Sequence, residues 1–252
     1  MTERVWFLKQ SRLFQQLSLE EIASLESRAR VRELPPRQVI YAPSDAADSV
    51  FLVVRGRVRI VSLTPEGKEA ILGLVEPGEL FGEMALVSTE PREEHAETAV
   101  TSTIAAIPRD TLEAVMSRNS ELSIGVWKFL GWQRQRIERR LRSLLFRSTR
   151  ERVLLLLVDL AEHYGKHAPH GAVDLGIRLS HQEFANLIGA TRESVTVALG
   201  DLQNEGILAI GRQRVTILSP DRLARAAGLT RSLVLNQQPP PTVKTKTIME
   251  NL

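Results

Sequence analysis

The sequence predicts an α+β chain of three parts: an antiparallel barrel or roll, one long helix, and a C-terminal domain of short helices closed by a hairpin. Three observations carry this. Short apolar or alternating runs fill residues 38–107, with a turn signal roughly every ten residues. A narrow apolar stripe then runs from Leu122 to Leu144. Finally, two capped helices separated by a glycine turn occupy residues 180–204.

The bulk composition excludes several classes. With 43% hydrophobic and 25% charged residues, the 252-residue chain has the balance of a soluble globular protein. Its longest apolar run, Val153 to Val158, is far short of the roughly 18 residues of a membrane span. The absence of cysteine removes disulfides, thiolate catalysis, cysteine-held zinc and ordinary iron–sulfur ligation together. The first ten residues carry Glu3 and no apolar core ending in small residues, so no secretory signal is expected and the expected location is cytoplasmic. A net charge of +3 favours an anionic partner only weakly. Arginines crowd into WQRQRIERRLRSLLFRSTRER, Trp132 to Arg152, which reads equally as a solvated helix face or as an approach surface for phosphates.

Taken in order, LFQQLSLEEIASLESRARVREL opens the chain with short helices. Ser18 and Glu21 form a capping box there, and Ile22 and Leu25 follow at helical spacing. The runs VIYA, SVFLVV, VRIVSL, EAILGLV and TSTIAAI are the expected strands, with turns at Arg55-Gly56, Pro65-Glu66-Gly67 and Glu76-Pro77-Gly78. Pro108 introduces the helix RDTLEAVM, and Asn119 or Ser120 caps the long one, which runs to about Leu145. Its residues Leu122, Val126, Leu130, Ile137, Leu141 and Leu144 are separated by threes, fours and one seven that passes through Gln133. So narrow a stripe predicts a coiled-coil seam and a homodimer, because packing on its own domain would need a wider apolar face.

Ser148 and Glu151 form a second capping box, opening a helix through VLLLLVDLAEHYG that Gly165 is placed to end. The break at Phe146 and Arg147 is the expected domain boundary. The chain is thus divided into N-terminal helices and a roll at 1–118, a dimerisation helix and hinge at 119–146, a C-terminal domain at 147–230, and a disordered tail at 231–252 containing NQQPPPTVKTKT.

The strongest signal is LSHQEFANLIGATRESVTVALGDLQNEGIL. Ser180 and Glu183 cap a two-turn helix with Phe184 and Leu187 facing inward, and Gly189 ends it. Thr191 caps a second helix whose inward face is Val195, Leu199 and Leu202, leaving Arg192, Glu193, Thr196 and Val197 outside. Two short helices about a glycine turn also occur in proteins that touch no nucleic acid. Here, however, a guanidinium at Arg192 suits guanine and a carboxylate at Glu193 suits cytosine. The hairpin ILAIGRQRVTIL adds Arg212 and Arg214 for phosphates, and His181 at the first helix's N-terminus is a further phosphate donor.

Over residues 10–228 the chain resembles the cyclic AMP receptor protein / FNR family of bacterial regulators. The likeness rests on PGELFGEMALV, the Pro108-Arg109-Asp110 helix start, Phe146 at the hinge, and ATRESVTVALGDLQ. It implies an N-terminal β-roll of the cyclic-nucleotide-binding, double-stranded β-helix type, and a C-terminal winged helix-turn-helix. It also implies a homodimer on palindromic double-stranded DNA, with RNA polymerase as a partner and no membrane. In that family a ligand in the roll reorients the DNA-binding domains. Arg192 and Glu193 fall on base-reading positions, and Val197 stands where a further arginine is usual.

In the sensor, Gly82 and Glu83, followed by Met84, match the element that grips ribose. Where an arginine–serine pair holds the cyclic phosphate, this chain reads PREEHAETA, placing Glu93 and Glu94 there. Arg92, one residue earlier, would serve only with a shift of the loop's register, and two carboxylates facing a phosphate repel it. The adenine-contacting positions fall on Ile137 and Glu138, without the usual hydroxyls. The expected effector is therefore unknown and not cyclic AMP, and the acidic pocket also admits a rival reading, a DNA-binding regulator that needs no ligand.

His163, His167 and His170 have metal-like spacing but are interrupted by Gly165 and Pro169, so a solvated loop is expected. His95 beside the pocket has no second ligand for a metal or haem. No enzyme motif is present. The alternative from another class is a small-molecule or cyclic-nucleotide module that regulates a protein partner without touching DNA.

Overall fold

The computed structural model describes residues 8–211, 214–229 and 233. Contacts divide the chain into two units, Met1–Arg136 and Ile137–Leu252. The tail expectation at 231–252, apart from residue 233, and Arg212 of the hairpin lie outside the described residues.

In the first unit, α1 (Leu19–Arg28) starts on the Ser18/Glu21 capping box and buries Ile22 and Leu25. Eight strands follow: β1 (Arg30–Leu34), β2 (Val39–Tyr41), β3 (Ser49–Arg55), β4 (Val58–Leu63), β5 (Glu69–Val75), β6 (Leu80–Phe81), β7 (His95–Thr98) and β8 (Ser102–Pro108). They form two four-stranded sheets, ordered β1-β8-β3-β6 and β2-β7-β4-β5. Tyr41, Val53, Val58, Val75, Phe81, Ala96 and Ile104 come from seven strands of both sheets and share one buried cluster, which makes the roll. Strand alternation sends Val50, Leu52, Ala105 and Ile107 to the opposite face, where they pack with Phe14, Ile22, Leu25 and Leu112 from the helical segments. The last of these belongs to α2 (Arg109–Met116).

Three strands of this unit lie outside the runs read from the sequence: the two-residue β6 and two longer ones. RVREL is β1 rather than part of the helical opening, and HAET is β7. Each is mostly polar, so neither gives a periodic apolar signal; their positions beside β8 and between β2 and β4 come from tertiary pairing.

The long helix α3 (Ser120–Phe146) begins where Asn119 accepts from the Leu122 amide at 2.9 Å. Leu122 and Val126 are 2% and 3% exposed in the first unit's own core, and Leu130 packs partly against it. This corrects the seam. A helical stripe fixes which residues share a face but not what covers that face, and here the first unit covers its N-terminal part.

In the second unit, α4 (Thr149–Tyr164) opens on the Ser148/Glu151 box and buries Val153, Leu154, Leu157, Val158, Leu160 and Ala161. Then come β9 (Lys166–His167), β10 (Val173–Asp174), α5 (His181–Ile188), α6 (Arg192–Asn204), β11 (Leu208–Gly211), β12 (Arg214–Ile217) and α7 (Pro220–Ala226). The sheet order is β11-β12-β10-β9. His163 lies in the last turn of α4, His167 in β9, and His170 in a tight turn at φ 61°, three separate elements. On α5, Phe184, Ala185 and Ile188 are buried while Leu187 is half-buried, so the inward face lies about one residue from the predicted one.

Candidate nucleic-acid interface and sensor site

The helix-turn-helix is set by local chemistry at each end. Ser180 and Glu183 satisfy each other's backbone amides at α5, and Gly189 ends that helix at φ 63°, ψ 49°, a left-handed conformation favouring glycine. Thr191 accepts from the Ser194 amide at 3.2 Å and starts α6. Ser180 and Thr191, expected from the sequence among the DNA-contacting residues, also make these caps. On α6, Val195, Leu199 and Leu202 are fully buried, whereas Arg192, Glu193, Thr196 and Val197 are exposed. Burying the first face fixes the second outward.

The Thr196 hydroxyl donates to the Arg192 carbonyl at 2.8 Å and lies 2.9 Å from Nδ1 of His181, joining the starts of α5 and α6. In the hairpin, Arg214 pairs opposite Gly211 and is well exposed, with Asp174 at 3.9 Å.

Two residues that sequence reasoning missed hold the turn. Arg152 of α4 donates through Nη1 to the carbonyls of Ile188 at 2.6 Å and Gly189 at 3.1 Å. Arg140, on α3 within the second unit, donates to the Leu187 carbonyl at 2.8 Å. These are the unpaired carbonyls of a helix C-terminus, where a cation is favoured. Leu144 completes the site: a Cβ on Gly189 would sit 3.0 Å from its Cδ2. The arginine-rich composition was the only signal, and it could not show which guanidinium turns inward.

In the roll, Gly82 adopts φ 68°, and a Cβ there would lie 2.8 Å from Nη1 of Arg92 and 3.1 Å from Phe51. Only glycine allows that approach. Arg92 is 6% exposed; it donates to the Gly82 carbonyl at 2.9 Å and to the Ser49 carbonyl, and its guanidinium lies 4.4 Å from the Tyr41 ring centre. It therefore reaches the interior without the loop shift that its sequence position suggested.

Glu93 points to solvent, and Glu94 accepts from the Tyr41 hydroxyl at 3.0 Å. Burial pushes the Glu83 carboxyl above its ordinary range; the charge of Glu94 adds to this, while its own backbone amide, Arg92 and Arg136 oppose it. Burial, then Glu94, likewise raises the Tyr41 phenol. Tyr41, Phe51 and Phe81 stack behind the arginine with centroids 5.2–6.2 Å apart. Met84 is half exposed; Ile137, 68% exposed, and half-buried Glu138 belong to the second unit.

Residues 31–119 match the cyclic nucleotide-binding domain family, and residues 151–226 match the Crp-like helix-turn-helix domain family. The chain belongs to the Crp-Fnr family. Among relatives of this regulator, a CRP-like cAMP-activated global transcriptional regulator of Mycobacterium tuberculosis is 28% identical over 220 residues, spanning 87% of this chain and 98% of that one. A global nitrogen regulator of Synechococcus elongatus is 26% identical across 81% and 93% of the two chains. A CRP-family transcriptional regulator of Thermus thermophilus has the same fold, with a TM-score of 0.67 and 27% identity across 81% and 99%.

The Crp-Fnr chain is a transcription regulator with a DNA-binding helix-turn-helix, and the protein-partner reading without DNA is not favoured. The relatives found are regulators rather than enzymes. Among the described residues, no helix is long and apolar enough to cross a membrane.

Proposed function

We propose that this regulator acts as a cytoplasmic homodimer on a palindromic duplex, reading bases with Arg192 and Glu193 and recruiting or blocking RNA polymerase there. The observation that carries this is the split of α6 into a buried face and an exposed N-terminal face holding Arg192, Glu193, Thr196 and Val197. Val197, 64% exposed where the family's further arginine is usual, offers a methyl-contacting surface instead. Arg212, Arg214 and His181 contact phosphates and set register.

The dimer seam lies on the exposed face of α3. Trp127, Leu130, Arg134, Ile137, Leu141 and Leu144 follow a strict three-four spacing, and Trp127 and Ile137 are 70% and 68% exposed. Of the seam first read, Ile137, Leu141 and Leu144 remain, with Leu130 at its edge; Gln133 is half-buried.

Cyclic AMP is not the effector in this reading. Arg92 already holds two carbonyls and an aromatic face, and acidic Glu93 and Glu94 flank any phosphate approaching it. Selection of bound sequences from a random duplex library, with and without cyclic AMP, tests both halves. A palindrome enriched equally in both is expected. Enrichment only with cyclic AMP overturns the effector reading, and none in either condition overturns the DNA assignment of Arg192.

A further inference from the structure

An open cavity of the first unit lies apart from Gly82, Glu83 and Arg92, none of which lines it. It is a groove of about 1460 Å³ built by the edge of the roll. Among the described residues β1 pairs only with β8, which makes it an edge strand there. The register sets Arg30 opposite Ala106 and Arg32 opposite Ile104, while Phe51 meets Ala106 from the other side of β8. Alternation therefore turns both arginines to the face that carries Phe51 and Ile104. Arg30, Arg32, Ile40, Phe51, Ile104 and Ala106 all line the groove.

The charges there do not cancel. Arg28 pairs with Asp110 at 3.3 Å and Arg109 with Glu113 at 2.7 Å. The side chains of Arg30 and Arg32 have no hydrogen bond or ion pair among the described residues. Against them stands one carboxylate of the lining, Asp48, which accepts from the Ser49 hydroxyl at 3.0 Å. Two solvated guanidiniums with no protein partner among the described residues, beside apolar Ile40 and Phe51, complement a molecule with an anionic head and an apolar body.

The same wall leads to Arg92. Ser49 and Pro91 line the groove, the Ser49 carbonyl accepts from the Arg92 guanidinium, and the Arg92 amide donates to the Asp45 carbonyl at 2.9 Å. The groove wall is thus continuous with the loop that holds the sensor's buried arginine.

We propose that this groove is an effector site for an amphipathic carboxylate, its head bound by Arg30 and Arg32 and its acyl or aryl body lying on the half-buried Ile40 and Phe51. The proposal rests on the reading of the chain as a DNA-binding regulator, since it names the class of molecule that regulates it.

The test is calorimetric titration of the full chain with dodecanoate and, separately, with the cation dodecyltrimethylammonium, both below micelle formation. Saturable binding of dodecanoate and none of the cation are expected. Arg30→Ala with Arg32→Ala should weaken dodecanoate by about tenfold or more. Arg30→Glu with Arg32→Glu should transfer the preference to the cation. Both side chains are exposed, so these variants keep the fold, which a thermal melt checks. Saturating dodecanoate should also shift DNA affinity by about threefold or more, within the usual range of coupling.

Absent or non-saturable dodecanoate binding, equal binding of both amphiphiles, indifference to both double variants, or an unmoved DNA affinity would each overturn the proposal. The duplex selection, run without amphiphile, judges the regulator reading separately. A palindrome enriched by a protein that ignores dodecanoate refutes the groove alone.

Discussion

Replacing Arg152 by alanine isolates what holds the recognition turn. Its guanidinium reaches the Ile188 carbonyl at 2.6 Å and the more exposed Gly189 carbonyl at 3.1 Å. A hydrogen bond to a charged group contributes about 1.5–3 kcal/mol when shielded and less in water. Counting the shielded bond fully and discounting the other gives about 2 kcal/mol. For a unit of this size that corresponds to a fall of about 8 °C in its melting temperature. Arg152→Lys should recover only part, because an ammonium cannot reproduce the fork that spans two carbonyls. The assays are a melt followed by circular dichroism and DNA affinity by anisotropy. The variant should lose both stability and affinity, because the start of α6 follows directly from Gly189. A melting temperature lowered by less than about 2 °C would show that these carbonyls are satisfied as well by water, and the clamp would have to be abandoned.

The other variants probe separate surfaces. Arg192→Ala should cost about 1–3 kcal/mol on the selected site and relax one G·C preference, whereas Arg214→Ala should weaken all sequences alike; unchanged specificity in the first would show that Arg192 reads no base. Ile137→Lys with Leu141→Lys should dissociate the dimer in sedimentation, while Val126→Ala should cost about 2 kcal/mol of first-unit stability and leave association intact; the reverse pattern would restore the original seam. Because the folded Glu83 carboxyl titrates above its unfolded value, its contribution is full below the unfolded value and is lost as pH rises through the folded one. Glu83→Gln should therefore raise the first unit's melting temperature at neutral pH and change it little at about pH 4; a pH-independent gain would refute burial as the cause.

What was legible in the sequence was local. The three capping boxes at Ser18, Ser148 and Ser180 each need only four consecutive positions, and each forms as read. The burial of Val195, Leu199 and Leu202 followed from helical spacing alone. The missed features depend on what lies across space. Polar β1 is a strand because β8 pairs with it, and Leu122 and Val126 are covered by their own unit rather than by a second copy. The trajectories of Arg92, Arg140 and Arg152 differ from those of neighbouring arginines for reasons no spacing encodes.

The contact between His181 and Thr196 constrains what His181 can offer DNA. Thr196 has one hydroxyl proton, and the Arg192 carbonyl receives it at 2.8 Å. The 2.9 Å contact with His181 must then be donated by the ring, which places a proton on Nδ1. A neutral ring in that tautomer presents an acceptor at Nε2, suited to a base amino group. Only the doubly protonated ring presents a second donor, suited to a phosphate. The two modes separate under salt. Releasing one phosphate contact lowers the slope of log affinity against log salt by about one and weakens every sequence equally. Losing a base contact leaves the slope alone and erases a preference at one base pair. The position of His181 at the start of α5, where DNA phosphates pass the family's helix-turn-helix, favours the first outcome for His181→Ala. An unchanged slope with a lost base preference would instead make His181 a third reader beside Arg192 and Glu193.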